Sequence, residues 1–178
     1  MKKLLIFALV AVMLLCSACS DKEGAAPMGM KALSDEKDEY YLYIPEDWNI
    51  DTSMGIDAAY CQDTTYGNDF ANISFIGFSG YTNNEDFWKD NLTGISETYK
   101  DIAFEIEAEQ TLIGEQAALR YVYTASVAGV KYKFMQAAIY NGGYVYLFTY
   151  TALEEYYDDH YGDSSKDINM ILDNLEFK

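Results

Sequence analysis

The stretch from Glu115 to Thr151 limits what this chain can fold into more than any other. It reads as three consecutive β-strands, EQAALRYVYTASV, VKYKFMQAAIY and YVYLFTYT, joined by two short turns. Asn141-Gly142-Gly143 supplies the second turn, since Asn and Gly tolerate the positive φ of a tight hairpin. Ala128-Gly129 supplies the first. In the first strand Leu119, Tyr121, Tyr123, Ala125 and Val127 share one face, with Arg120, Thr124 and Ser126 on the other. In the third, Tyr144, Tyr146, Phe148 and Tyr150 oppose Val145, Leu147 and Thr149, so neither face is plainly polar. A strand of that kind must be covered on both faces, or must offer one of them to a ligand.

The remaining elements follow from period and punctuation. Tyr40 to Ile44 forms a short strand that Pro45 ends, because proline cannot donate to a ladder, and Trp48 then folds back as a core plug. Asn49 to Tyr60 carries Met54, Ile56, Ala58 and Tyr60 at period two and reads as a second strand, and Ala71 to Phe78 as a third. From Asn84 to Tyr99 the period changes: Trp88, Leu92, Ile95 and Tyr99 make one stripe of a helix capped by Asn83 or Asn84. Ile102, Phe104 and Ile106 alternate with Glu105, Glu107 and Glu109, a strand with a wet, charged face that resists edge-to-edge pairing. After Thr151 come a short helix ending near Gly162, a second helical piece with Ser164 or Ser165 as cap and Ile168, Ile171, Leu172 and Leu175 as stripe, and a last strand at 175–178. The fold class is α+β, a central antiparallel sheet flanked by helices.

The N-terminus predicts location. Met1-Lys2-Lys3 is a basic start, and Leu4 to Leu15 is an apolar run too short to span a bilayer comfortably, so residues 1–18 read as a signal peptide. Leu15-Cys16-Ser17-Ala18-Cys19 follows, and small residues before a Cys resemble the lipobox of bacterial lipoproteins. Cys19 is the expected lipidation site; Cys16 is a second candidate without small residues at the cut, and an ordinary cleaved signal is the alternative to both. Residues 19–39 then form a lipidated N-terminus and flexible tether, with a reach of about 25 Å for roughly 20 residues. Residues 40–178 form the domain. Cys61 is left as the one thiol not consumed, so no internal disulfide supports the fold.

The net charge is -17 at pH 7. That sign excludes nucleic-acid backbones and adsorption to anionic lipid as partners. The expected partners are the bacterial membrane, through the N-terminal lipid, and an unknown protein or small molecule.

Several motifs together resemble the PsbP/DcrB-like superfamily. They are Tyr43-Ile44-Pro45-Glu46-Asp47-Trp48, the mid-chain helix, the turn Thr111-Leu112-Ile113-Gly114-Glu115-Gln116-Ala117 into long hairpins, the Tyr-rich strand, and the closing Ile171-Leu172-Asp173-Asn174-Leu175-Glu176-Phe177. The resemblance spans about Tyr40 to Lys178. It implies a sheet sandwiched between helices and little about activity, since members of that superfamily are mainly binding or assembly factors rather than enzymes. It carries over no functional residue.

The residues themselves offer little catalysis. Gly77-Phe78-Ser79-Gly80-Tyr81 approaches a nucleophile elbow, but Tyr81 stands where the second Gly is needed. His160, the only histidine, lies downstream with Asp158 two residues away, too near for the usual triad acid. A strand-terminating Ser-Gly turn accounts for Ser79 better than a hydrolase does. One histidine and one spare thiol cannot complete a zinc site. No phosphate-cradling loop or dinucleotide fingerprint is present, so no cofactor is expected. Asp158, Asp159, Asp163 and Asp167 around Gly162, and Asp63 and Asp69 around Gly67, lack calcium-loop spacing and read as solvated loops, with a cation-binding surface as alternative. Among the 17 tyrosines, Tyr144, Tyr146 and Tyr150 are the expected partner-binding surface, against a reading of them as sandwich core. The sequence thus points to a membrane-tethered, non-catalytic binding or assembly lipoprotein, the alternative being a cell-envelope hydrolase or cation-binding surface protein.

Overall fold

A computed structural model describes residues 24–63 and 69–178. The signal segment 1–18, Cys16, Cys19 and Gly67 lie outside the described residues. Eleven strands run in chain order: β1 (Met30–Ala32), β2 (Tyr40–Tyr41), β3 (Tyr43–Pro45), β4 (Asn49–Ile50), β5 (Asp57–Asp63), β6 (Asp69–Ser79), β7 (Ala103–Ile113), β8 (Gln116–Val127), β9 (Val130–Asn141), β10 (Tyr144–Leu153) and β11 (Glu176–Phe177). Helix α1 (Asn84–Thr98) separates β6 from β7, and α2 (Tyr157–His160) and α3 (Asp167–Asp173) follow β10. Seven strands form one antiparallel sheet in the order β4-β5-β6-β10-β9-β8-β7, with the Tyr-rich β10 at its centre. This is the α+β fold with a central antiparallel sheet expected from the sequence.

The alternation read in β8 and β10 divides the core in two. Tyr146, Phe148, Tyr150 and Ala152 of β10 face a first core with Leu42, Ile44, Trp48, Ile168 and Ile171. Val145 and Leu147 face a second with Phe87, Trp88, Ile95, Tyr121 and Tyr123. Helix α1 begins where Asn83 Oδ1 accepts the Asp86 backbone N–H at 2.7 Å, and Glu85 and Asp86 sit at the positive end of its dipole. Trp88 Nε1 donates to the Leu119 carbonyl at 3.0 Å, which fixes the helix on β8.

The glutamate-rich strand is the β7 edge, with Glu105, Glu107 and Glu109 exposed. Register shifts either side of Ile106, together with Ala108 at φ 51°, bend this edge away from further pairing.

Three local expectations are corrected. Asn49–Tyr60 is a hairpin rather than one strand: β4 pairs with β5 at Ala59 and Tyr60, and Gly55 at φ 67° lies in the connection. The tether read over 19–39 ends sooner, because β1 pairs with β3 and buries Met30, while Leu33 also reaches the first core. Neither Ser164 nor Ser165 caps α3, since Ser165 is held by Asp163 and Lys166 precedes the helix.

Gly114, in the β7–β8 turn, locks this turn to the C-terminal segment. It lies at φ 55°, its N–H donates to the Leu172 carbonyl at 3.0 Å, and a Cβ there would run into the Leu175 carbonyl oxygen. Gly94, by contrast, has open space around it on α1. Gly114→Ala is expected to destabilise the domain by about 2 kcal/mol or more. Gly94→Ala should stabilise it by about 0.5–1 kcal/mol. Urea-unfolding midpoints of the two variants, moving in opposite directions, check the pair.

Candidate functional site

One helix cannot cover this sheet. Seven strands about 4.8 Å apart span roughly 29 Å, whereas a helix with its side chains is about 10 Å wide. The first-core face is covered by several short pieces together, namely the β1–β3 region, α2, α3 and the C-terminal segment. On the other face α1 lies over β8 and β9. Among the described residues, nothing covers the outer part of that face over Asn72, Ser74 and the far end of β10 completely, and these side chains are half-buried.

The residues in that window lie on two adjacent rungs of the ladder. Gln136, Thr149 and Ser74 pair directly across β9, β10 and β6, and Thr151, Asn72 and Tyr60 across β10, β6 and β5. The first five are half-buried and Tyr60 is 37% exposed, while their strand neighbours Ile73, Phe75, Phe148 and Tyr150 are at most 1% exposed on the opposite face. All six are neutral hydrogen-bonding residues. Asn91 of α1 donates from Nδ2 to Gln136 Oε1 at 3.4 Å, and Gln136 Nε2 donates to Thr149 Oγ1 at 3.2 Å. That relay fixes the amide orientation. Beside it opens a groove of about 560 Å³ with Ala58, Tyr60, Asn72 and Ser74 at its base and Met54 and Ile56 along its wall. Asp51 also lines the groove, its carboxylate held below the usual range by hydrogen bonds from Ser53.

The expected tyrosine surface is only partly realised. Tyr144 is 47% exposed beside the β9–β10 turn. Tyr146 is packed against Phe75 and Phe177, and Tyr150 is fully buried with its hydroxyl donating to the Tyr157 carbonyl at 2.8 Å. These two are core residues because the even positions of β10 face the more completely covered side. Composition identified the tyrosines but not that side. The window was missed, although Gln136 and Thr149 interrupt apolar strands and Asn72 and Ser74 alternate with Ile73 and Phe75.

Ser79 and His160 are not brought together. Ser79 pairs with Tyr144 at the start of β10, whereas His160 follows its end at Leu153, about 30 Å of strand away. His160 is instead buried beside Trp48, with Nδ1 3.4 Å from Asp167 Oδ2, which also accepts Trp48 Nε1–H at 3.1 Å. Among the described residues no group of three or more His, Cys, Asp or Glu is placed to hold a metal ion. Asp63 and Asp69 oppose each other across β5 and β6, and Cys61 is half-buried against the first core.

The chain has a PsbP-like fold. It superposes on cyanobacterial PsbP (CyanoP) from Synechocystis with a TM-score of 0.57 and 15% identity, covering 88% of this chain and 96% of that one. LpqN, described as involved in cell envelope biogenesis of Mycobacterium tuberculosis, matches with a TM-score of 0.54 and 15% identity over 78% of this chain and 83% of its own. PA94, a Pseudomonas aeruginosa protein of unknown function, matches with a TM-score of 0.50 and 17% identity over 74% and 88%. No family model and no curated protein matches the chain.

Two half-buried aspartates are shifted in opposite directions. Hydrogen bonding from His160 and Trp48 holds Asp167 below the usual carboxylate range despite burial. Burial, with Asp38 and Asp35 nearby, pushes Asp57 up, although Tyr40 donates to it at 2.7 Å. A lowered folded value means that Asp167 stabilises the fold above about pH 4 and loses that contribution as pH falls through the folded value. A raised value means that Asp57 penalises the fold once pH rises through it. At pH 7, Asp167→Asn should cost about 1 kcal/mol or more, while Asp57→Asn, which keeps an acceptor for Tyr40, should be neutral or stabilising by up to about 1 kcal/mol. Urea unfolding at neutral and acid pH reads both, and the Asp167→Asn deficit should shrink in acid.

Proposed function

We propose that this protein is a membrane-tethered, extracytoplasmic lipoprotein that acts as a non-catalytic binding or assembly module. The observation that carries the reading is the window: a charge-free, hydrogen-bonding region left open on a sheet whose other face is covered. Enzymes of the hydrolase type would need Ser79 beside His160, and the two lie at opposite ends of β10. The short apolar leader followed by Ser17-Ala18-Cys19 supports lipidation at Cys19 and anchorage to the outer side of the membrane. Among the described residues no helix is long and apolar enough to cross a membrane. Likeness in fold to LpqN, a protein tied to cell envelope biogenesis, is in keeping with an envelope role.

Fractionation of cells in which the protein is expressed tests the anchor. The wild-type chain is expected in the membrane fraction and labelled by a fatty-acid analogue. Cys19→Ala should abolish the label and leave the protein uncleaved or unlipidated, whereas Cys16→Ala should keep it. A label that persists in Cys19→Ala removes Cys19 as the anchor, and a wild-type protein found unmodified in the cytosol removes the tethered reading.

A further inference from the structure

We infer that the window over β5, β6 and β10 binds an uncharged carbohydrate chain. The inference rests on the binding-module reading and names its ligand class.

Charge is the first constraint. The chain carries 29 Asp and Glu, yet the six residues Gln136, Thr149, Ser74, Thr151, Asn72 and Tyr60 form a contiguous patch with none. Among the described residues lining the adjacent groove only Asp51 is charged. A phosphate or carboxylate ligand would need a cation here to offset its desolvation, and an ammonium ligand would need more than one peripheral acid. An uncharged ligand avoids both costs.

Hydrogen-bonding capacity then narrows the class. Amides and hydroxyls each donate and accept, so Asn72, Ser74, Gln136, Thr149 and Thr151 match groups that do the same. Sugar hydroxyls are such groups, and a saccharide also has apolar C–H faces. Tyr60 is a ring whose face can receive one, with Met54 and Ile56 extending the apolar wall. The Asn91–Gln136–Thr149 relay holds the polar groups in place before binding, which lowers the entropy cost. A protein partner is the weaker match: interface centres are rich in Arg and aromatic anchors, and the window offers one exposed aromatic and no Arg.

The full chain purified in detergent is titrated with N-acetylchitotetraose, cellotetraose and maltotetraose by isothermal calorimetry and saturation-transfer NMR. Tri-galacturonic acid and deacetylated chitotetraose serve as charged comparators. At least one neutral tetrasaccharide is expected to bind with a Kd of about 1 mM or tighter, unaffected by high salt. Tyr60→Ala should weaken binding roughly tenfold or more, as should Gln136→Ala, while Tyr144→Ala outside the window should not. Tyr60 is exposed, so its variant stays folded and decides the matter even if Gln136→Ala does not. Absence of binding by every neutral sugar at about 10 mM overturns the inference. So does binding that survives Tyr60→Ala, preference for a charged comparator, or self-association that Tyr60→Arg abolishes. Failure here with Cys19-dependent membrane anchorage intact would reject the ligand class and leave the tethered reading standing.

Discussion

The whole structure answers one constraint: β10 sits in the middle of the sheet and is apolar on both sides. Burying a large side chain contributes about 1.5–3 kcal/mol, so neither row of β10 can be left in water without a substantial cost. The two faces solve the problem differently. Tyr146, Phe148, Tyr150 and Ala152 are covered by segments from both ends of the domain. Those segments must therefore be tied to each other. The Lys178 N–H donates to the Glu39 carbonyl at 3.0 Å, β11 pairs with β2, Gly114 is bonded to Leu172, and Trp48 is joined to Asp167. The first core closes only when the β1–β3 region and the C-terminal segment meet over it.

On the other face a single helix does the covering, and its width sets the outcome. Helix α1 reaches Leu119, Tyr121, Tyr123, Phe134 and Leu147 with Phe87, Trp88 and Ile95, and that is where the face is apolar. At the margin of that area Asn91 of α1 meets Gln136, and beyond it β10 and β6 carry Thr149, Thr151, Ser74 and Asn72. The change from apolar to polar along one face is the sequence matching the footprint of its helix. The window is thus a consequence of covering a broad sheet with one narrow element, and its polar lining keeps it from being an aggregation-prone patch.

Much of this was legible in the residues because it depends on short-range period. The three long strands and their turns, the α1 stripe with its Asn83 cap, and the guarded β7 edge all follow from spacing within a dozen residues. What was not legible needed pairing at a distance. Met54, Ile56, Ala58 and Tyr60 keep period two straight through a turn, so the β4–β5 hairpin looked like one strand. Met30 and Leu33 stand in a stretch without apolar periodicity, and only pairing with β3 and the bond from Leu33 N–H to the Leu42 carbonyl reveal them as core. The window draws on β5, β6, β9 and β10, so its residues become one surface only after the register of four strands is known. Tyr146 and Tyr150 fall on the same side of that line: alternation placed them on a common face without saying which face was closed.

Edges and faces together restrict how this domain can engage anything. Strand addition needs a long, flat, unguarded edge. At one edge β7 has register shifts, Ala108 at positive φ and three exposed glutamates. At the other, β4 is two residues long. The net charge of -17 disfavours anionic partners, and screening limits its reach to about a Debye length of 8–10 Å at physiological salt. Of the two faces, one is filled by the β1–β3 region, α2, α3 and the C-terminal segment, and the other is half covered by α1. A ligand that meets this protein through its sheet must meet it where α1 stops, on side chains that select by hydrogen bonding and shape rather than by charge.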